Sequence, residues 1–175
     1  MRRAGDGCAQ LDIQRVDKTG HQVGIDVQVA TERGDAVRAR GIARWAAVVI
    51  ERMGDDEDII EVCIRVVDEA ESAGLNADYR GQDKSTNVLS FPADVNLPGS
   101  GCRYLGDVVI CDTVVHREAE QQHKRADDHL AHMVVHGMLH LYGYDHVEPT
   151  DADVMEDMER EILGQIGIAD PYADG

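Results

Sequence analysis

The sequence predicts an α+β fold: a small mixed sheet of four strands with about five helices packed around it. Three observations lead there. The chain has 175 residues, 43% of them hydrophobic and 29% charged, which suits one domain around one core. Its apolar runs divide into strand-like, β-branched stretches and stretches with helical periodicity. Their order, β-α-β-α-β-β-α-α-α, interleaves helices with some strands and places three helices after the last.

Residues 1–20 read as a variable, irregular N-terminal extension, and residues 21–175 as a single domain. "QVGIDVQVAT" (22–31) alternates apolar and polar positions and predicts a strand. "GIARWAAVVIERMG" (41–54) has helical periodicity and stops at Gly54. "IIEVCIRVVD" (59–68) is a second strand. Asp68 then caps a helix over "EAESAGLNADYRG", with Glu71 three positions on as in a capping box. "TNVLSFP" (86–92) is halted by Pro92 and reads as an edge strand, because proline cannot donate to a ladder. A turn over 96–104 leads into the apolar strand "LGDVVICD" (105–112). Asp112 is placed to cap a helix over "TVVHREAEQQH". A longer helix runs from about Asp127 to Leu141 and stops at Gly143, and a last one from Thr150 to Leu163.

Charge narrows the function. Seventeen Lys and Arg stand against thirty-four Asp and Glu, a net −17 with a pI near 4.6. Such a field repels nucleic acid and anionic membranes over most of the surface, so a polyanionic substrate needs a local basic patch or a metal ion to receive it. No run of about 18 apolar residues is present, so no transmembrane helix is expected. "MRRAGDGCAQLDIQ" has no apolar stretch after its arginines and does not read as a signal peptide. Cys8, Cys63, Cys102 and Cys111 form no CxxC pair, and their scatter predicts free thiols in a reducing cytoplasm.

The informative stretch is "HMVVHGMLHLYGYDHVE" (132–148), which holds four of the eight histidines. On a helix, positions i and i+4 stack on one face, so His136 and His140 can offer both rings to one ion. Gly143 ends the helix and lets the chain fold back, which brings His146 round as a third ligand. Three protein ligands and one open position is the arrangement of a catalytic zinc site. His132, four residues before His136, is a rival ligand and otherwise a neighbour that packs or hydrogen bonds behind the site. Asp145 either orients a histidine or caps the following turn. Imidazole suits zinc, copper, nickel and iron alike. The spacing HxxxHxxGxxH resembles metzincin zinc peptidases, but the glutamate that serves them as general base is replaced by Gly137. Proteolysis is therefore disfavoured.

"HGMLHLYGYDH" (136–146) is similar to the signature H-G-x-L-H-L-x-G-Y-D-H of the YbeY family, bacterial endoribonucleases of rRNA maturation. "IRVVDEAESAGLNADYRGQDKSTNVLSFP" (64–92), "LGDVVIC" (105–111) and the C-terminal "DPY" (170–172) resemble further blocks of that family, so the likeness spans about residues 58–172. Ser85 stands where the family commonly has proline, and the N-terminal extension is somewhat long. The resemblance implies one domain with a four-stranded mixed sheet and surrounding helices. It implies one zinc per chain on His136, His140 and His146, and Arg80 as the family's functional arginine. It also implies cytoplasmic, single-strand-specific RNA cleavage in rRNA processing, notably at the small-subunit 3′ end, with ribosome quality control and ribosomal or small-subunit protein partners. No DNA or membrane partner is expected.

The chemistry is coherent with that expectation. Phosphodiester cleavage builds negative charge on the non-bridging oxygens, which a metal and a planar guanidinium stabilise. Without the resemblance, Arg80 reads first as a surface ion pair, the fate of most arginines on an acidic protein, and only the resemblance favours a functional role. The nucleophile is either a hydroxide, which leaves no 2′,3′-cyclic phosphate, or the RNA's own 2′-hydroxyl, which forms one. A cationic cleft within the acidic shell would draw on Arg65, Arg80, Lys84, Arg103, Lys124 and Arg125. Two other readings compete: a zinc hydrolase of small amides or peptides, and a non-catalytic ribosome-assembly factor with structural zinc.

Overall fold

Period-two alternation builds the sheet. In the computed structural model, which describes residues 9–16, 20–31, 36–55, 57–93, 99 and 101–173, five strands share one sheet. They are β1 (Ala9–Val16), β2 (Gln22–Val29), β3 (Ile59–Val67), β4 (Val88–Pro92) and β5 (Cys102–Cys111). Their spatial order is β1-β2-β3-β5-β4. β2, β3 and β5 run parallel, while β1 and β4 pair antiparallel at the two edges. The sheet is mixed, as the sequence predicts, and β4 is the expected edge strand.

The fifth strand corrects the expectation of four. Residues 9–16, read as irregular, form β1 across from β2. Leu11 and Ile13 pack on the core, and Gln10, Asp12 and Gln14 alternate with them in the chain. The alternation is present but short and polar, and pairing with β2 is what makes it a strand. Residues 1–8 and 17–19 of the expected extension lie outside the described residues, as do 96–98 and 100 of the turn expected at 96–104; residues 102–104, read as the end of that turn, instead begin β5, where they pair with β3.

Five helices complete the fold: α1 (Ala36–Met53), α2 (Glu69–Arg80), α3 (Asp112–Gln121), α4 (Ala126–Leu141) and α5 (Pro149–Gln165). α1 and α4 cover one face of the sheet, against the buried row Val23, Ile25, Ile60, Ile64, Val108 and Ile110. α2 lies on the other face at the β5 side, where Leu75 joins Val67, Leu89 and Val109 in a smaller cluster. α3 and α5 pack against α4, which leaves α4 almost wholly enclosed. Fully burying one side chain such as Leu139 contributes about 1.5–3 kcal/mol, and α4 buries eleven residues.

Capping follows the sequence at α2, where Asp68 accepts from the Glu71 backbone N–H at 2.9 Å. It does not at α3. Cys111 occupies the cap position without a side-chain bond, and Asp112 is the first helical residue. The Asp112 carboxylate turns inward to meet Arg38 of α1 at 2.5 Å. A buried guanidinium outbids a backbone N–H as partner for a buried carboxylate.

Two glycines set close approaches, Gly106 between neighbouring strands and Gly137 between helix and sheet. Gly106 sits at a β-bulge on β5, where the register with β3 slips between Glu61 and Cys63. Its φ is +127°, and a Cβ there would lie 2.2 Å from the Phe91 carbonyl oxygen. Gly137 is where α4 touches β4 and β5: a Cβ would lie 2.5 Å from Val108 Cγ1 and 3.1 Å from Val88 Cγ2. Ser90 donates to the Gly137 carbonyl at 2.9 Å across the same contact.

Candidate metal centre

α4 carries the site. His136 and His140 are one helical turn apart, and their Nε2 atoms stand 3.1 Å from each other. The helix ends at Tyr142 in a Schellman motif. Gly143 takes φ +90° and donates to His140 O, and Tyr144 donates back to Leu139 O. The left-handed turn swings the chain back over the helix end. His146 then stands with its ring centroid 5.4 Å from His136 and 5.1 Å from His140. One ring nitrogen from each of the three lies within 4.8 Å of the others.

That spacing fits a metal. Two nitrogens each about 2.0–2.1 Å from a tetrahedral zinc are about 3.3 Å apart. Burial pushes the His140 pKa below its ordinary value, and the neighbouring His136 and His146 rings push the same way, so the His140 ring favours its neutral, lone-pair-bearing form. Neutral imidazole is the form that binds metal.

The histidines line a cleft of about 720 Å³ between the end of α4 and the edge strand β4. Arg80 lines it too. It is the last residue of α2, exposed, and its guanidinium makes no hydrogen bond or ion pair with the described residues. The loop that follows is tied to α2 by two buried polar side chains: Ser72 bonds both backbone groups of Thr86, and Asn76 donates to Lys84 O at 2.8 Å. The surface ion pair considered for Arg80 is therefore not made among the described residues.

The wider cationic cleft is not assembled. Arg65 pairs with Glu71 at 2.7 Å, and Arg103 pairs with Asp55 at 2.6 Å beside Tyr142, in a separate groove. Lys124 and Arg125 line another cavity at the start of α4. Lys84 is exposed, outside the residues that line the cleft. Acidic neighbours claim Arg65 and Arg103, the lysines and Arg125 lie elsewhere, and Arg80 is the basic side chain that lines the cleft.

His132 points away from the three-histidine cluster. Its Nε2 lies 3.3 Å from Glu159 Oε1, and 3.5 Å from the Tyr172 hydroxyl. Asp145 accepts the backbone N–H of His146 at 2.7 Å, so of the two roles weighed for it the turn-stabilising one is seen.

Sequence reasoning missed Glu159. This residue of α5 is fully buried, and its Oε1 accepts from His136 Nδ1 at 2.7 Å. Tyr172 donates its hydroxyl to Oε2. Burial raises the Glu159 pKa, but the hydrogen bonds from His132 and His136, with Tyr172, outweigh it and hold the group at about 2. A signal was present: Glu159 lies on the apolar stripe of α5, four residues after Met155 and three before Ile162, both buried. His132, His136 and Glu159 also form a second group able to hold a cation.

Comparison with known proteins identifies relatives of the whole chain. The family model described as Endoribonuclease YbeY matches residues 28–167. A protein named Endoribonuclease YbeY from Alteromonas mediterranea is 44% identical over 164 residues, 94% of this chain and 96% of that one. One of the same name from Pseudomonas putida is 47% identical over 86% of this chain and 93% of its own. Another, from Halorhodospira halophila, is 49% identical over 79% and 90%. The solution structure of TM1509 from Thermotoga maritima superposes with a TM-score of 0.52 at 26% identity, covering 81% of this chain and 91% of that one.

Proposed function

The chain belongs to the YbeY family, and from that premise we propose that it is a zinc-dependent, single-strand-specific endoribonuclease of the cytoplasm. It acts in rRNA maturation, at the small-subunit 3′ end, and in ribosome quality control, with ribosomal proteins as partners and neither DNA nor membrane as a target. The observation that carries this reading is the convergence of His136, His140 and His146 on a cleft that also holds Arg80.

His136, His140 and His146 would hold the metal. A bound zinc supplies Lewis acidity toward a phosphoryl oxygen and lowers the pKa of bound water from 15.7 toward about 7. Arg80 places a permanent, planar, multi-donor charge where the phosphoryl oxygens gain charge. The overlying edge strand β4 and the Gly143 turn form the walls that position the substrate phosphate between guanidinium and imidazoles. Only two components of this cleft offset the phosphate charge, so both are needed.

Gly137 separates this chemistry from peptide hydrolysis. The position where a metzincin carries its general base faces Val88, Ser90 and Val108 of the sheet, with no room for a side chain. The test uses the zinc-loaded protein with single-stranded and duplex RNA. Arg80→Ala is expected to lower cleavage by about 10²–10³-fold, the usual loss on removing one donor to developing charge, with zinc content unchanged. His140→Ala is expected to lose both zinc and cleavage while circular dichroism stays native. A folded His140→Ala protein that cuts RNA at the wild-type rate sinks the proposal. Zinc uptake with no cleavage in any variant points to the scaffold reading instead.

A further inference from the structure

We propose that Glu159 is a positioning residue: its buried carboxylate, braced by Tyr172 and His132, fixes the His136 ring with the proton on Nδ1 so that Nε2 presents its lone pair to the three-histidine cluster. This rests on the reading of His136, His140 and His146 as metal ligands.

His136 has two ring nitrogens with two different neighbours. Nδ1 lies 2.7 Å from Glu159 Oε1, and Nε2 lies 3.1 Å from His140 Nε2. A carboxylate only accepts, so Nδ1 must donate, and in the neutral ring the lone pair then falls on Nε2. Which nitrogen is free for a metal is decided by the hydrogen bond the other one makes.

Glu159 cannot rotate away from this task. Its Oε1 also faces His132 Nε2 at 3.3 Å, and its Oε2 takes the Tyr172 hydroxyl. His132 Nδ1 is buried without a partner, which suits a ring whose single proton sits on Nε2 and points at Glu159. Three donors from α4 and the C-terminal segment thus converge on one carboxylate of α5. Arg160, the next residue of α5, lies over the Tyr172 ring with its guanidinium 5.0 Å from the centroid and holds that tyrosine in place.

The same three groups could instead hold a second cation. Donors about 2.0–2.1 Å from one tetrahedral ion stand about 3.3 Å apart. The 2.7 Å contact between His136 and Glu159 is shorter than that and matches a charge-assisted hydrogen bond. The group is a brace behind the first ligand, and Tyr172 ties the "DPY" segment to it, beside the contacts of Asp170 with Arg160 and of the Pro171 carbonyl with Lys124.

Glu159→Gln keeps the shape and removes the charge. Zinc affinity, measured by competition with a chelating dye, is expected to fall about 10–100-fold, the usual cost of losing a partner behind a metal ligand. A second readout needs no metal: long-range proton–nitrogen correlation spectra of the metal-free protein at about pH 8, above the ordinary histidine pKa of about 6.5. Wild-type His136 is expected as the Nδ1-protonated tautomer, and Glu159→Gln as a mixture. Glu159→Asp, with a shorter reach, is expected to restore the tautomer in part. Should Glu159→Gln fail to fold, Tyr172→Phe decides, since it frees Oε2 and leaves both Glu159 and His136 intact; its zinc affinity is expected to fall in the same direction. Wild-type zinc binding with unchanged affinity in the variants and an unchanged His136 tautomer overturns the positioning role alone. A wild-type protein that takes up no zinc overturns the metal reading, and the positioning role with it.

Discussion

His129 shows how a half-satisfied buried side chain writes a pH dependence into the fold. Its Nε2 meets Glu118 Oε2 at 2.8 Å, and its Nδ1 is buried with no partner. Protonation would add an N–H with no acceptor. Burial pushes the His129 pKa down, and that effect outweighs the opposing pull of Glu118. His140 shifts the same way. With folded values below the unfolded value of about 6.5, the unfolded chain binds more protons as pH falls, so stability is full above that value and is lost as pH drops through the folded ones. The denaturation midpoint of the metal-free protein is therefore expected to fall between about pH 7.5 and 5.5, less steeply in His129→Gln. A midpoint that rises as pH falls contradicts this. At this scale the histidines were legible because their spacing is geometric. Glu159 was not, because one acidic residue on an apolar stripe looks like noise until α5 is known to lie against α4. Asp112 misled for a related reason: its inward partner, Arg38, is 74 residues away in the chain.

Among the elements, α4 is the one that both packs the core and presents the site, and Gly137 is where those duties meet. In an exposed helix, alanine would be favoured over glycine by about 1 kcal/mol. Here the added methyl would press on Val108 and Val88, branched side chains with little room to move, and overpacking costs typically about 1–3 kcal/mol. Gly137→Ala is expected to lower stability by up to about 2 kcal/mol net in chemical denaturation, and to weaken zinc binding by shifting His136 relative to His146. A variant more stable than wild type would show that α4 does not sit this close to the sheet. Most elements were legible from periodicity and caps, including the Gly143 stop that makes the site. β1 was not, since eight residues of weak alternation become a strand only when β2 offers an edge.

Over the whole molecule, the net charge of −17 is arranged rather than diffuse. Asp12, Asp26, Glu61 and Asp107 share a groove on the open sheet face, across β1, β2, β3 and β5, while the candidate cleft lies at the opposite edge beside β4. The cleft has one free guanidinium and three imidazoles. On the proposed reading, a phosphate would be received at that one point, against a surface whose net charge repels nucleic acid. Composition alone predicted the repulsion but not this placement, because pairing of Arg65 and Arg103 with nearby acids depends on the folded neighbourhood. Among the described residues no helix is long and apolar enough to cross a membrane.

The most direct measurement is X-ray absorption at the zinc edge of the metal-loaded protein. An open centre on His136, His140 and His146 predicts three imidazole nitrogens and one further light atom from solvent, all at about 2.0–2.1 Å. A shell closed by a fourth protein ligand, or fewer than three imidazoles on the ion, contradicts it.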